Sequence, residues 1–341
     1  MKISFILPGG GVSGGVRVTV VQANHLLNRG HKVRILVRKG PIGPRVIYRN
    51  LRDSLIHSAH SWLKDFKGHL EGFKEIDECK FEKGEIIVGA GSYVLEEMIQ
   101  LQSLPNPKIL YLHGITRWDP ERMKRVLSSP IPKIAVASYL VPLVEASGGE
   151  EVAAVIHNGI DKSEYFMSVN ESEKDGFGTI YSSNAAKDPK TIIASIQNFS
   201  NLRPDVPVRV FGTERKPKQL GQALYRRFPS VQQARDLYSK SLVWIMASMS
   251  EGFPAPPLEA IACGAVPVAT DCGGTRDIIV DGENGFLVKV GNVDQIVDRV
   301  MLLLSDKMLR DRMRSKAQVT VDKFNWEKSI DKLENVLKKL V

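Results

Sequence analysis

Short apolar, β-branched runs alternate along this chain with stretches of helical periodicity, and that alternation constrains the fold most. Residues 2–8, KISFILP, read as a buried strand, and the glycine loop GGGVSGG follows at 9–15. Val16, Val20, Ala23 and Leu27 then recur at helical spacing over 16–28. Gly30 stands where a left-handed helix cap is wanted, and residues 32–37 read as a second strand. Strand, loop, helix and strand in this order predict parallel sheet, because a crossover helix returns the chain to the same strand direction. Further strands are expected at 85–88, 108–112 and 133–137. A polar, acidic stretch at 161–177 interrupts the pattern and is expected to be a domain linker. Beyond it, strands are expected at 178–183, 206–211, 242–247 and 266–270, with a helix at 189–199 and an amphipathic helix at 325–340. At 341 residues the chain has room for about two domains.

Composition narrows the function classes. Hydrophobic residues make up 43% and charged residues 25%, which excludes disorder and rod-like repeats. The apolar runs are far shorter than the roughly 20 residues of a membrane helix. The start of the chain lacks the apolar core of a signal peptide, so a cytoplasmic location is expected. Cys79, Cys263 and Cys272 make neither a disulfide framework nor a metal pattern, so no metal site is expected. The net charge is +9, and residues 29–52 hold eight Lys or Arg and no acid. That block (Arg29, Lys32, Arg34, Arg38, Lys39, Arg45, Arg49, Arg52) suits phosphate-bearing ligands, nucleic acid or an anionic membrane surface. Behind it, Leu55, Ala59, Trp62, Leu63 and Phe66 share one side of an expected helix over 53–70, which could lie on a membrane or pack on a core.

Two glycine turns follow strands. GGGVSG at 9–14 fits a diphosphate loop, in which the backbone approaches the anion and a helix N-terminus faces it. A dinucleotide site would want an acid after the second strand; Arg38 and Lys39 stand there and could suit a 2′-phosphate instead. The second turn is DCGGTRD at 271–277. Between them, EGFPAPPLEAIACGAVPV at 251–268 puts Glu251 on a loop after a strand and Glu259 in the first turn of a helix. A carboxylate accepts two hydrogen bonds and suits a vicinal diol, so this pair could hold two sugars of one ligand. Glu259 could equally serve the helix dipole alone.

The 251–268 segment resembles the hallmark of family 4 retaining glycosyltransferases of the GT-B fold. YLHG at 111–114, HNGID at 157–161, GGTRDIIVDGENGFLV at 273–288 and FNWEKS at 324–329 resemble further family segments, and the match runs from about residue 3 to 340. The resemblance implies an α/β chain of two Rossmann-like parallel-sheet domains facing across a cleft. Their expected bounds are 1–165 for the acceptor domain and 166–322 for the nucleotide-sugar domain, with a helix over 323–341 returning to the first. It implies transfer of a sugar from a UDP-, GDP-, ADP- or dTDP-sugar to an acceptor hydroxyl, with retention and without a metal. It implies no nucleic acid, and a saccharide or lipid-linked acceptor used in polysaccharide or glycolipid synthesis, with the protein peripheral on the inner membrane face. By the same resemblance, Glu259 holds the donor ribose, Glu251 the transferred sugar, and His113 lies beside the anomeric carbon. Gly14 and Gly15 approach the diphosphate, and the backbone near Phe253, Pro254 and Ala255 meets the sugar. Gly212, Gly273 and Gly274 line the donor site.

Two departures stand out. The family's diphosphate arginine is replaced by Ser183 or Asn184, and the companion lysine is Lys187 or Lys190, with Lys190 favoured by spacing. Pro254, where the family often has glycine, removes one backbone N–H. Other readings are a sugar-nucleotide epimerase, an NADP-dependent oxidoreductase, which leaves 251–288 unexplained, and a binding protein with a decayed site.

Overall fold

Every strand pairing described in the two sheets is parallel. The computed structural model describes residues 1–11, 13–39, 61–115 and 119–341. They fall into two units, Met1–Asn158 with Glu327–Val341, and Gly159–Trp326.

The first unit has seven strands: β1 (Lys2–Leu7), β2 (Lys32–Arg38), β3 (His69–Phe73), β4 (Ile86–Ala90), β5 (Lys108–Leu112), β6 (Lys133–Ala135) and β7 (Val152–Val155). Their order is β3-β2-β1-β4-β5-β6-β7. The central strands are near-continuous apolar runs because helices cover both faces of the sheet. Ile3, Phe5, Ile6 and Leu7 of β1 and Ile109 to Leu112 of β5 are at most 1% exposed. Helix Trp326–Lys338 ends this unit, burying Ser329, Ile330, Leu333, Val336 and Leu337. Arg29 holds it through Glu327, Asp331 and Glu334, each at 2.8 Å.

The second unit has six strands: β8 (Asp175–Ile180), β9 (Val208–Gly212), β10 (Leu224–Arg227), β11 (Ser241–Met246), β12 (Val266–Thr270) and β13 (Phe286–Val288). Their order is β10-β9-β8-β11-β12-β13. Phe177, Val210, Val243, Ile245 and Val268 form its core with Phe199 and Ile296 from the covering helices. The sheet order reverses between β1 and β4 in one unit and between β8 and β11 in the other. In open α/β sheets, ligands bind outside the carboxyl ends of the strands at such a reversal.

Several expectations change. The helix expected over 53–70 is absent from its described part; residues 53–60 lie outside the described residues. Trp62–Asp65 is one 3-10 turn capped by Ser61, and β3 follows it at the sheet edge. A Cβ on Gly68 would lie 2.8 Å from the Val33 carbonyl oxygen, so close backbone approach favours a bare backbone there. The stretch 161–177 is not a free linker. Tyr165 is 5% exposed, and Lys174 sends its amine to the Ser239 and Cys263 carbonyls, so the segment is packed into the second unit.

The unit boundaries fall after Asn158 and Trp326 rather than after 165 and 322. In the basic block, Arg29, Arg34 and Arg38 are paired with acids: Arg34 with Glu71 and Glu85, and Arg38 with Glu75 and Glu97. Arg38 is therefore engaged by two carboxylates where a 2′-phosphate contact was considered. Arg45, Arg49 and Arg52 lie outside the described residues. Among the described residues no helix is long and apolar enough to cross a membrane.

Candidate functional site

At the reversal in the second unit, the carboxyl ends of β8 and β11 wall a small open pocket lined by Thr179, Ser182, Lys187, Ser248, Glu251 and Pro256. Glu251 lies five residues past the end of β11. Its Oε1 accepts hydrogen bonds from Lys187 Nζ at 2.5 Å and Ser248 Oγ at 2.6 Å. The Glu251 side chain is 14% exposed and that of Lys187 43%, so the pair meets solvent through the lysine.

The loop carrying Glu251 is fixed from the far side. Glu251 N–H donates to the Cys272 carbonyl at 3.1 Å, and Gly274 N–H donates to the Glu251 carbonyl at 3.3 Å. A Cβ on Gly274 would sit 1.7 Å from the Gly252 carbonyl oxygen, so only glycine fits. Gly273 adopts φ +94, a conformation open to glycine. The second glycine turn thus seats the Glu251 loop.

Lys187 is held between two caps. Asn184 caps the 3-10 turn Ala185–Lys187 by accepting from Ala186 N–H at 3.0 Å. Asp188 follows at φ +46, left-handed, and caps helix Pro189–Leu202 by accepting from Thr191 N–H at 3.2 Å. These caps turn Lys187 toward Glu251. Lys190, favoured by spacing, is the exposed second residue of the helix and makes no described contact with Glu251. Among the described residues, the cation paired with Glu251 is Lys187.

Glu259 is the fifth residue of helix Ala255–Ala262, past its first turn, which corrects the expected position and removes the helix-dipole reading. It is 8% exposed, and its Oε2 accepts from the Tyr238 hydroxyl at 2.9 Å. Burial, reinforced by the Glu259 charge, pushes the Tyr238 phenol well above its usual range, so it remains a donor. Phe253 is 7% exposed and packs on Phe324, with ring centroids 5.1 Å apart. Pro254 is the N-cap, and Pro256 and Pro257 follow Ala255. Ala255 is therefore the one residue of these four with a backbone N–H, so this helix start offers few donors to an anion.

Ser183, in the region of the missing arginine, is exposed, and its N–H donates to both oxygens of Glu214, at 2.9 and 3.1 Å. Gly212 ends β9; a Cβ there would lie 2.3 Å from the Tyr181 carbonyl oxygen, so packing requires this glycine.

In the first unit, Gly14 and Gly15 open helix Gly14–Asn28, with Ser13 as N-cap accepting from Val16 N–H at 3.4 Å. Nothing among the described residues lies within 4 Å of a Cβ built at either glycine. Packing does not demand glycine there, whereas close approach of a ligand would. His113 follows β5 and stacks on Tyr111, with centroids 4.4 Å apart and 18° between planes. Burial pushes its imidazole down to about 4, so the ring is neutral near pH 7. Its buried Nε2 has no hydrogen-bond partner among the described residues.

Sequence reasoning missed Ser248, Tyr238 and Glu214. Ser248 could have been found, since three residues separate it from Glu251 in one loop. Tyr238 and Glu214 are brought in from other elements and leave no local signal. Among the described residues no group of three or more His, Cys, Asp or Glu is arranged to hold a metal.

The family model described as glycosyl transferases group 1 matches residues 164–320. A Haemophilus influenzae protein described as an uncharacterized glycosyltransferase is 24% identical, with 98% of this chain and 99% of that one covered. The Bacillus anthracis N-acetyl-alpha-D-glucosaminyl L-malate synthase is 31% identical over 30% of this chain and 27% of its own length. Among solved structures, Anabaena HepE in complex with UDP and glucose superposes with a TM-score of 0.77 at 16% identity, covering 99% of this chain and all of that one. Sucrose-phosphate synthase from Thermosynechococcus elongatus gives 0.74 at 13% identity, with 100% and 99% covered. The chain thus has two parallel-sheet units of the GT-B fold, and its residues 164–320 are similar to the group 1 glycosyl transferases.

Proposed function

We propose that this glycosyltransferase moves a hexosyl or related sugar from a nucleoside diphosphate to an acceptor hydroxyl with retention of configuration. The observation that carries the reading is the Lys187–Glu251 pair at the sheet reversal of the second unit, with Glu259 eight positions further on. A carboxylate accepts sugar hydroxyls, and an ammonium beside it stabilises the charge that develops on a leaving phosphate. In this reading Glu251 orients the transferred sugar, Lys187 takes a diphosphate oxygen, and Glu259, positioned by Tyr238, accepts from the ribose. Backbone near Phe253 and Ala255 borders the sugar.

In the first unit, the open amides of Gly14 and Gly15 suit a phosphate oxygen, and the neutral His113 suits a hydroxyl. None of the side chains at the pair is a free general base, since Glu251 is already engaged by Lys187 and Ser248. That agrees with a front-face path in which the leaving phosphate takes the acceptor proton. The HepE complex, with UDP and glucose bound on the same fold, supports a nucleotide-sugar donor, for which UDP, GDP, ADP and dTDP carriers are the candidates. No metal is invoked, because Lys187 and the backbone amides supply the counter-charge.

The acceptor is read as a saccharide, free or lipid-linked, in polysaccharide or glycolipid synthesis near the inner membrane face. Arg29, Arg34 and Arg38, being paired, no longer support a membrane-facing patch. The testing experiment is thermal unfolding with UDP, GDP, ADP, dTDP, NAD and NADP, followed by NMR of the product anomer. A ligand at 100 times its dissociation constant stabilises by about 2.7 kcal/mol, a readable shift. A shift with one nucleoside diphosphate and a retained anomer are expected. A shift with NADP alone, or an inverted product, would overturn the reading.

A further inference from the structure

An internal anion stands beside the donor pocket. Glu214 stands two residues beyond the end of β9, and its carboxylate receives the Ser183 N–H on both oxygens and the Ser182 hydroxyl at 3.3 Å. Ser182 lines the same pocket as Lys187 and Glu251. The Glu214 backbone is pinned as well: its carbonyl accepts from the Tyr225 hydroxyl at 2.9 Å. The carboxylate is thus held on a backbone amide and a serine hydroxyl, the kind of donors that commonly receive a phosphate oxygen. Its charge is felt by the neighbouring phenols. Tyr181 and Tyr225 are both raised, by burial first and then by Glu214.

The charged residues lining the pocket are Lys187 and Glu251, and Glu214 adds a negative charge beside it through Ser182. A diphosphate oxygen approaching Ser182 and Ser183 meets the like charge of Glu214 on those donors. The prolines at 254, 256 and 257 have also removed backbone donors that would offset it.

We propose that Glu214 occupies, in the free protein, hydrogen-bond donors that a phosphate group of the nucleotide uses, and thereby limits how tightly the pocket holds a diphosphate. The inference rests on the donor-site reading of the second unit. On donor binding the carboxylate leaves Ser183 and Ser182 and the phosphate takes its place; as the diphosphate departs, Glu214 returns. Glu214 is therefore a specificity-setting residue that favours release of the nucleoside diphosphate product.

The test is calorimetric titration of the full chain and of E214Q and E214A with UDP, GDP, ADP, uridine and inorganic pyrophosphate. E214Q keeps an acceptor oxygen for the Ser183 amide and removes only the charge; E214A removes the occupant. The expected result is tighter binding of pyrophosphate and of the preferred nucleoside diphosphate, by about fivefold or more in both variants, as removal of a like charge a few ångströms away predicts. Binding of the bare nucleoside should not change. A loop-locking role alone would not produce a gain confined to phosphate-bearing ligands. Wild-type binding with no gain, or a loss, in either variant would overturn the assignment of Glu214 alone. Failure of all three folded proteins to bind any of these diphosphates would overturn the donor reading and this inference with it.

Discussion

At the residue scale, the chemistry rests on which charged group meets which. Lys187 and Lys190 stand three positions apart, and only the first reaches Glu251. Lys187→Ala should weaken nucleoside diphosphate binding by about 1.5–3 kcal/mol, the usual worth of a charged hydrogen bond, while Lys190→Ala leaves it unchanged. Calorimetry on the two variants checks this, and equal losses would return the role to spacing. Glu251→Gln should lower kcat strongly with nucleotide affinity nearly intact, because its carboxylate is assigned to the sugar; a parallel loss of nucleotide affinity would reassign it. Tyr238→Phe removes a donor to a carboxylate that is 8% exposed. It should cost about 1–3 kcal/mol in unfolding free energy, measured by denaturant titration. The two glutamates could be read from the chain because their spacing and flanking prolines are local. Their partners could not, because Lys187 lies 64 residues from Glu251 and Tyr238 lies 21 from Glu259.

At the element scale, the glycine turns divide by physical cause. Gly274 and Gly14 look alike in sequence, each following a strand within a glycine cluster. Gly274 has a backbone carbonyl where a Cβ would go, whereas Gly14 faces open space among the described residues. Gly274→Ala should therefore lower Tm by several degrees or more, and Gly14→Ala should leave Tm unchanged while weakening any ligand held at that helix start. Thermal unfolding with and without nucleotide separates the two.

The strands that escaped the sequence are β3, β7, β10 and β13. All are five residues or shorter and lie at or next to a sheet edge. β3, β7 and β10 are largely or partly solvated, so their residues need not be apolar and carry little periodic signal, whereas β13 is a mostly buried apolar run of three residues, too short to show a period. The long central strands were legible because burial on both faces demands an unbroken apolar run. The turn at Trp62–Asp65 shows the opposite failure. An apolar stripe at helical spacing was present, but Trp62 and Leu63 reach the glycine loop from a single 3-10 turn: Arg17 lies over the Trp62 ring, and the Leu63 side chain abuts Gly10.

At the scale of the whole molecule, acid should act on the first unit through two groups. His113 is lowered from its ordinary 6.5 to about 4 by burial, so the native state favours the neutral ring. Its contribution is complete above pH 6.5 and is lost as pH falls toward 4, at up to about 1.4 kcal/mol per pH unit. Glu334 is lowered from 4.5 to about 2 by its bonds to Lys338, Arg29 and His31, and its contribution is lost below 4.5. Urea titrations of the wild type and of H113F between pH 7 and 4 should show a flatter acid limb in the variant, because phenylalanine keeps the stack and cannot be protonated. Hydrogen exchange of helix Trp326–Lys338 should rise below pH 4.5, and in R29A already at pH 7.

The alternation of buried runs and helices, the parallel sheets and the two spaced glutamates were determined by the sequence alone, because each depends on neighbours within one or two elements. The cation that faces Glu251, the pairing of the basic block and the seat of Glu214 on Ser183 were decided only by tertiary structure. A side chain's charge can be read along the chain, but its partner arrives from a distant element through the strand order of the sheet.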